Sequence, residues 1–140
     1  SNYLANGLIQ LPDNDREYSV FGSEAYYTGP DSRLRRFSFR VDGFVSMNAG
    51  DKGGTITTKP LTFSGSKLNL NFKTDKGGYV VARLHQIGTE ITIVGELTGD
   101  EISKTVRWSS KRRLANFAGK PVVLSFELKN ADLYSMQFVD

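Results

Sequence analysis

The sequence predicts an all-β protein built as an antiparallel β-sandwich. Three observations lead to this prediction: apolar and polar residues alternate along most of the chain, turn-forming residues separate the alternating runs, and almost no stretch has helical spacing. Successive side chains of a strand point to opposite faces, so an alternating run indicates a strand with one buried face. Two such sheets can stack their apolar faces into one core. Among Greek-key sandwiches we favour a jelly roll, of the concanavalin or lectin type.

The first strands are expected to be short. The segment GLIQLPDNDREYSVFGSEAYYTGPDS predicts a hairpin or meander with strands at residues 8–11, 18–21 and 24–28. The run RLRRFSFRVDG then places Phe37 and Phe39 on an inner face and Arg36 and Arg40 on the outer one. We therefore expect an N-terminal hairpin or meander over residues 1–30 and a β-sandwich domain over residues 31–140.

The later strands follow the same alternation. KLNLNFKT and PVVLSFELKN each place a row of apolar residues inward, and further strands are predicted at residues 79–86, 90–97, 104–109 and 133–139. Glycine, asparagine and aspartate tolerate the backbone of tight turns. Such residues predict reversals at 48–54, 64–66, 74–78 and 98–101, with another tight turn at Asn130 to Asp132. One helical turn is expected near residues 114–117.

Composition limits the classes of function. The 140 residues suit one domain, and the absence of cysteine excludes disulfides and cysteine catalysis. No apolar run is long enough to span a membrane, and no signal peptide is visible. The net charge of +3 comes from basic clusters interspersed with carboxylates, so we expect no nucleic-acid partner.

A series of segments in fixed order carries a resemblance: YYTGPDSRLRRFSFRVDGFVS, GGTITTKPLTFSG, LNLNF, TVRW and LANFAGKPVVLSFELKNADLYSMQF. Together these segments resemble the C-terminal β-sandwich region of bacterial proteins similar to glycoside hydrolase family 32, in which a five-bladed propeller precedes the sandwich. In this sequence Asn116 and Phe117 interrupt the block LAGKP. The series contains no catalytic signature.

The resemblance implies that this chain and an upstream domain have different functions. Residues 1–30 would close the upstream propeller, and that glycosidase-like domain would carry the catalytic carboxylates. This chain alone would then not be an enzyme, although its parent protein would be a glycoside hydrolase. The resemblance also implies a bacterial protein outside the cytoplasm, periplasmic or secreted, and allows a structural calcium ion.

Aromatic and basic residues are the candidates for a carbohydrate or domain-interface contact. Flat rings stack on sugar C–H faces, and arginine forks match carboxylates, so acidic and neutral sugars would both suit such a surface. The candidates are Tyr26, Tyr27, Arg35, Arg36, Arg40 and Tyr79. Interfaces between domains use the same residue types, and we rank that interpretation above ligand binding.

Three further sequence features bear on a sugar surface. Asn69, Asn71 and Lys73 form a polar stripe that could line a concave sheet. Trp108 follows an alternating pattern that fits a core position better than a sugar platform. Tyr134 likewise fits a buried tyrosine with a bonded hydroxyl.

Catalytic chemistry has little support in the sequence. His85 is the only histidine, and no nucleophile elbow adjoins it. Asp100 and Glu101 are neighbours on a strand and so point to opposite faces, whereas a glycosidase needs two convergent carboxyl groups. We therefore predict no catalytic residue.

Asp13, Asp15 and Glu17 are weak calcium candidates. Their oxygens alternate along DNDRE, as calcium ligands do, but the glycine and the distal glutamate of an EF-hand loop are missing. A charged turn is the preferred interpretation.

Three hypotheses of function remain. A noncatalytic accessory domain, which scaffolds a catalytic neighbour and contacts carbohydrate, should expose a flat apolar patch around Tyr3, Leu4, Leu8 and Tyr26. A free-standing carbohydrate-binding or adhesion module should expose a row of aromatic rings on a concave sheet. A glycosidase with an unrecognised site should hold two carboxyl groups facing each other in a cleft.

Overall fold

The computed structural model describes residues 3–26 and 28–140 and contains only β-strands and one short 3-10 helix in these ranges. The strands are β1 (Tyr3–Leu4), β2 (Ile9–Gln10), β3 (Glu17–Glu24), β4 (Arg33–Arg40), β5 (Met47–Ala49), β6 (Gly54–Thr57), β7 (Lys67–Gln86), β8 (Thr92–Leu97), β9 (Asp100–Thr105) and β10 (Val122–Val139). The 3-10 helix is Leu114–Phe117. All strand pairs are antiparallel, which confirms the predicted fold class. The jelly-roll topology stays a prediction.

Within the described ranges, no helix has the length and apolar character that crossing a bilayer requires.

The chain divides into two compact units, Ser1–Phe44 and Val45–Asp140. The break between these two units falls after Phe44, and the domain boundary that the sequence predicts after residue 30 stays a prediction. The break lies beyond β4 because β4 pairs with β3, from Glu17 opposite Arg40 to Glu24 opposite Arg33. A boundary at residue 30 would cut this hairpin at its turn.

The first unit is one four-stranded sheet with β3 at its centre. Strand β4 lies on one side of β3, and the two short strands β1 and β2 share the other side. The predicted turn after β2 is present, with the Asn14 N–H donating to the Leu11 carbonyl. The predicted strand over 24–28 is wrong beyond Glu24, the last residue of β3, because the Thr28 N–H donates to the Ala25 carbonyl and closes a turn.

Strand β4 does not have the buried face that its alternation predicts. Phe39 is 37% exposed, while Phe37 on the same face is half-buried. Of the two outward arginines, Arg36 is exposed and Arg40 is half-buried. This unit contains a single sheet, so it supplies no second layer of its own to cover the apolar face. Phe39 instead packs beside Phe44, with ring centroids 5.6 Å apart.

The second unit is organised around two long paired strands. Strand β7 has 20 residues and β10 has 18, and they pair from Gln86 opposite Val122 to Lys67 opposite Val139. Strands β5 and β6 flank β10, while β8 and β9 flank β7. Each long strand therefore has two different neighbours, one along each half.

One core fills the second unit. The inward side chains from both halves of β7 and β10 belong to a single buried cluster that includes Leu68, Phe72, Leu84, Leu124 and Leu128. A sheet whose two halves contribute to one core must bend over itself, and this is how the two long strands, with their short neighbours, make two layers. The predicted inward positions of these two strands are confirmed.

The bend occurs where the sequence predicted a reversal. Between the pairs Thr74–Ala131 and Tyr79–Lys129, β7 contains residues 75–78 and β10 contains only Asn130. Gly77 and Asn130 have φ angles of 76° and 42°, the left-handed region that glycine and asparagine tolerate best. The turn residues of TDKGG and KNAD thus form a corner within continuous strands, and the predicted reversals at these two places are wrong.

Strand β9 also differs from the prediction. We predicted a strand at 104–109, whereas β9 runs from Asp100 to Thr105 directly after β8. Gly99 has a φ of 113°, so the reversal is complete within two residues and the strand begins earlier than expected.

Candidate functional site

A polar cleft of about 390 Å³ lies on the outer surface of the second unit. One wall is the turn between β5 and β6, with Asp51, Lys52 and the backbone of Gly53, together with Gly54 at the start of β6. The other wall and the floor come from β6, β7 and β10, through Thr55, Tyr79, Glu127 and Lys129. The volume is at the lower end of the range for small-ligand sites.

Strand alternation and register place these side chains together. Leu128 and Val80 are buried, so their neighbours Glu127 and Tyr79 point outward. Glu127 lies opposite Thr55 of β6, and Lys129 lies opposite Tyr79 of β7. The cleft therefore depends on β6 and β7 pairing with opposite edges of the same stretch of β10.

A hydrogen-bonded chain fixes the tyrosine. The Tyr79 hydroxyl donates to Glu127 Oε1 over 3.0 Å, and the Arg83 guanidinium lies 2.8 Å from Glu127 Oε2. The bonds from Arg83 and Tyr79 lower the pKa of Glu127 below its usual value of 4.5. The same contact with Glu127 raises the pKa of Tyr79. At neutral pH the pair is thus a carboxylate and a neutral hydroxyl, and the ring of Tyr79 is held in place.

The two lysines of the cleft have no such partner. Neither Lys52 nor Lys129 forms an ion pair with another residue in the described ranges. Asp51 is exposed at the tip of the turn. The cleft therefore offers two ammonium groups to solvent beside a carboxylate that Arg83 already neutralises.

Asp51 and Glu127 are two carboxyl groups that line one cleft, which is one feature of a glycosidase site. Hydrolysis also needs one carboxyl group to stay protonated, through a raised pKa, so that it can act as general acid. The pKa of Glu127 moves in the opposite direction. The arrangement is better suited to binding than to hydrolysis.

A second concave surface, the apolar groove, lies on the first unit. It measures about 530 Å³ and is lined mainly by Tyr3, Leu4, Phe21, Tyr26 and Leu34. Tyr3 and Tyr26 meet edge to face with centroids 5.0 Å apart. Tyr3 is 59% exposed, Leu4 62% and Leu34 75%. The accessory-domain hypothesis expects an apolar patch around Tyr3, Leu4, Leu8 and Tyr26, and all of these except Leu8, which is exposed elsewhere, line the groove.

The predicted arginines are engaged within the first unit. Arg35 and its neighbour Arg33 each lie 2.6 Å from a carboxylate oxygen of Glu24, and their hydrogen bonds lower the pKa of Glu24. Arg36 donates to the Ser19 hydroxyl and lies 3.6 Å from Glu17.

The described residues of the predicted set do not come together in one site. The stem of Arg40 lies against Gly43, so close that a Cβ on that glycine would be 2.8 Å from Arg40 Cδ. Tyr27 lies outside the described residues. Of the predicted set, the structure brings Tyr26 to the apolar groove and Tyr79 to the polar cleft.

The remaining polar candidates serve the fold. Asn71 is 2% exposed, and Asn69 bonds to Ser103 and Thr105 of β9, so the predicted outer stripe is not an open binding surface. Trp108 packs against the core, as predicted.

His85 and Tyr134 line neither the polar cleft nor the apolar groove. His85 is exposed, and its Nδ1 lies 3.1 Å from the Thr92 hydroxyl. Tyr134 is half-buried on β10.

The calcium candidates do not converge. Asp13 and Asp15 are exposed, while Glu17 accepts a hydrogen bond from the Asn14 amide and lies near Arg36. In the described part of the chain no three histidine or acidic side chains are grouped as metal ligands. The segment forms the charged turn that we preferred.

Sequence reasoning missed most of the polar cleft. Alternation shows that Glu127 and Lys129 point outward, and GDKGG indicates an exposed turn. Nothing local shows that β6 and β7 flank this part of β10, so the grouping became visible only with the register.

Comparison with protein-family models, with curated proteins and with solved structures finds no significant match to this chain.

Proposed function

We propose that this chain is a noncatalytic β-sandwich accessory module of a glycoside-hydrolase-like protein, located outside the cytoplasm of a bacterium. In this proposal the first unit docks on the upstream glycosidase-like domain, and the second unit contacts carbohydrate. The link to a glycoside hydrolase rests on the ordered series of sequence segments. The apolar groove supports the docking role.

The described part of the first unit has almost no buried apolar core. Val20 is the one apolar side chain that is buried in the described part of this unit. A sheet gains stability from a covered apolar face, and small units bury too little surface to be stable alone. Tyr3, Leu4 and Leu34 are large, exposed and adjacent in the groove, so a second surface placed there would supply the missing layer.

The docking role is tested by comparing two proteins: the chain alone, and the chain joined to the segment that its natural reading frame encodes ahead of Ser1. Tyr3→Ser with Leu34→Ser should lower the melting temperature of the joined protein by several degrees, because each docked apolar side chain contributes roughly 1.5–3 kcal/mol. The same double variant should leave the Trp108 fluorescence transition of the chain alone nearly unchanged.

A matched control uses Ile87, an exposed apolar residue of the second unit outside the groove. Ile87→Ser should change neither protein by a comparable amount. The docking proposal fails if the groove variant affects the joined protein no more than Ile87→Ser does, or if the upstream segment encodes no folded domain.

A free-standing carbohydrate-binding module is the second candidate. The polar cleft favours it, because a fixed tyrosine ring and unpaired polar groups in one concave site suit a saccharide without any docked neighbour.

A further inference from the structure

The polar cleft has a charge pattern that selects among ligands. The lining carries two cationic side chains, Lys52 and Lys129, and two anionic ones, Asp51 and Glu127. Arg83 is not part of the lining but lies 2.8 Å from Glu127 Oε2. Arg83 is occupied by Glu127, so the excess positive charge belongs to the two lysines. An ammonium group that can reach a bound anion contributes a charge-assisted hydrogen bond, which is stronger than a neutral one.

The ring of Tyr79 on the floor of the cleft is already held in place before a flat ligand binds. The hydrogen bond to Glu127 holds the ring of Tyr79, so no rotamer freedom of that ring is lost when a ligand binds. Thr55 offers a hydroxyl beside it. Gly53 and Gly54 have no side chains, so the wall of the turn leaves room above the ring.

We propose that this cleft binds an acidic saccharide, with a sugar face against Tyr79 and its carboxylate near Lys52 and Lys129. The inference rests on the proposed carbohydrate contact and adds the ligand class and the place. A uronic acid combines the features that the cleft recognises: an apolar C–H face, hydroxyl groups and one negative charge. Arg83 keeps Glu127 from repelling that charge at full strength.

The test uses tetragalacturonate and the same oligosaccharide with its carboxyl groups methyl-esterified. Isothermal titration calorimetry gives the affinities, and amide chemical shifts in a ¹⁵N-labelled chain locate the binding. We expect tetragalacturonate to shift residues 51–55, Tyr79 and 127–129, and to bind more weakly as salt rises. The ester, which keeps the ring but has no charge, should bind at least about tenfold more weakly.

Variants distinguish the contribution of the two lysine charges to binding from that of the Tyr79 ring. Lys52→Ala with Lys129→Ala should weaken tetragalacturonate binding about tenfold or more, whereas Lys111→Ala, an exposed lysine outside the cleft, should have no effect. Tyr79→Ala should abolish the measurable affinity. Tyr79→Phe keeps the ring and loses only its anchor to Glu127, so it should retain part of the affinity.

Each outcome decides something different. Equal binding of the acid and the ester overturns the acidic class and leaves the carbohydrate contact standing. Shifts confined to other residues, or binding unchanged in the double lysine variant, overturn the cleft as the site. No binding of either saccharide overturns this inference and the carbohydrate contact together. The docking role is judged separately by the Tyr3 and Leu34 variants.

Discussion

Gly78 lies at the corner, in the segment of β7 that is inserted opposite Asn130 of β10, and its replacement by alanine tests the bend directly. A Cβ there would lie 2.3 Å from the Asn130 carbonyl oxygen and 2.7 Å from that of Lys129. Close C···O contacts in sheets are about 3.3 Å, so the two strands would have to separate by about 1 Å. Such a shift also strains the bond from the Asn130 N–H to the Gly50 carbonyl.

Backbone overpacking of this kind costs about 3 kcal/mol, and each lost hydrogen bond adds about 1 kcal/mol. We expect Gly78→Ala to lower the free energy of unfolding of the second unit by about 3 kcal/mol or more. Urea titration followed by the fluorescence of Trp108, the single tryptophan, measures this. With an ordinary urea dependence the midpoint should fall by about 1 M or more.

Gly77 is the matched control, one residue away in the same corner. No atom lies within 4 Å of a Cβ built on Gly77, but its φ of 76° disfavours alanine. Gly77→Ala should therefore cost only about 1 kcal/mol, because the left-handed strain is partly offset by a less flexible unfolded chain. If Gly78→Ala proves no worse than Gly77→Ala, the close backbone approach at the corner is refuted.

Three further predictions concern the second unit. Leu124 is fully buried, so Leu124→Ala should cost about 2–5 kcal/mol in the same urea assay. Gly95→Ala should cost about 1–3 kcal/mol, because its Cβ would lie 2.5 Å from Val106 Cγ1, and thermal unfolding will show whether it does. Because the folded-state pKa of Glu127 is lowered from 4.5, its contribution is present above about pH 4.5 and is lost as the pH falls through the folded value. Glu127→Gln should therefore flatten the decline of urea midpoints below about pH 4.5, and an unchanged decline would contradict the contact with Arg83.

The accuracy of the sequence prediction differs between the two units for a physical reason. In β7 and β10 the predicted inward residues of KLNLNFKT and PVVLSFELKN have a second layer to pack against, and Leu68, Leu70 and Leu124 are completely buried. In β4 the same alternation is present, but the first unit has only one sheet and Phe39 stays exposed. Alternation reports which side chains share a face. It does not report whether that face is covered.

The polar cleft shows the same limit for function. Tyr79 was selected as an aromatic platform from its own position on an alternating strand. Its partner Glu127 lies 48 residues away, and Thr55 reaches the cleft only through the pairing of β6 with β10. Register between distant strands is set by the packing of the whole unit, so single-sequence reasoning finds members of such a site without finding the site.

The tetrapeptide DKGG occurs twice, at 51–54 and at 75–78, and takes two different roles. The first copy ends the three-residue strand β5 and reverses the chain into β6. The second copy is inserted in β7 opposite Asn130, and the strand resumes its pairing with β10 on both sides. Both copies meet β10 between Leu128 and Asn130, since Gly53 and Gly78 each approach carbonyl groups there.

Identical turn chemistry therefore permits either a reversal or a bend, and the neighbouring strand decides which one forms. Where β10 continues past the second copy with Asn130 in the left-handed region, β7 gains pairing by continuing and would lose it by reversing. The polar cleft lies at this meeting point, between the first copy and Tyr79, the residue that follows the second. Gly53 and Gly54 of the first copy leave the cleft open, and Gly77 and Gly78 of the second copy permit the corner just before Tyr79, so the two copies link the bend of the sheet to the proposed binding site.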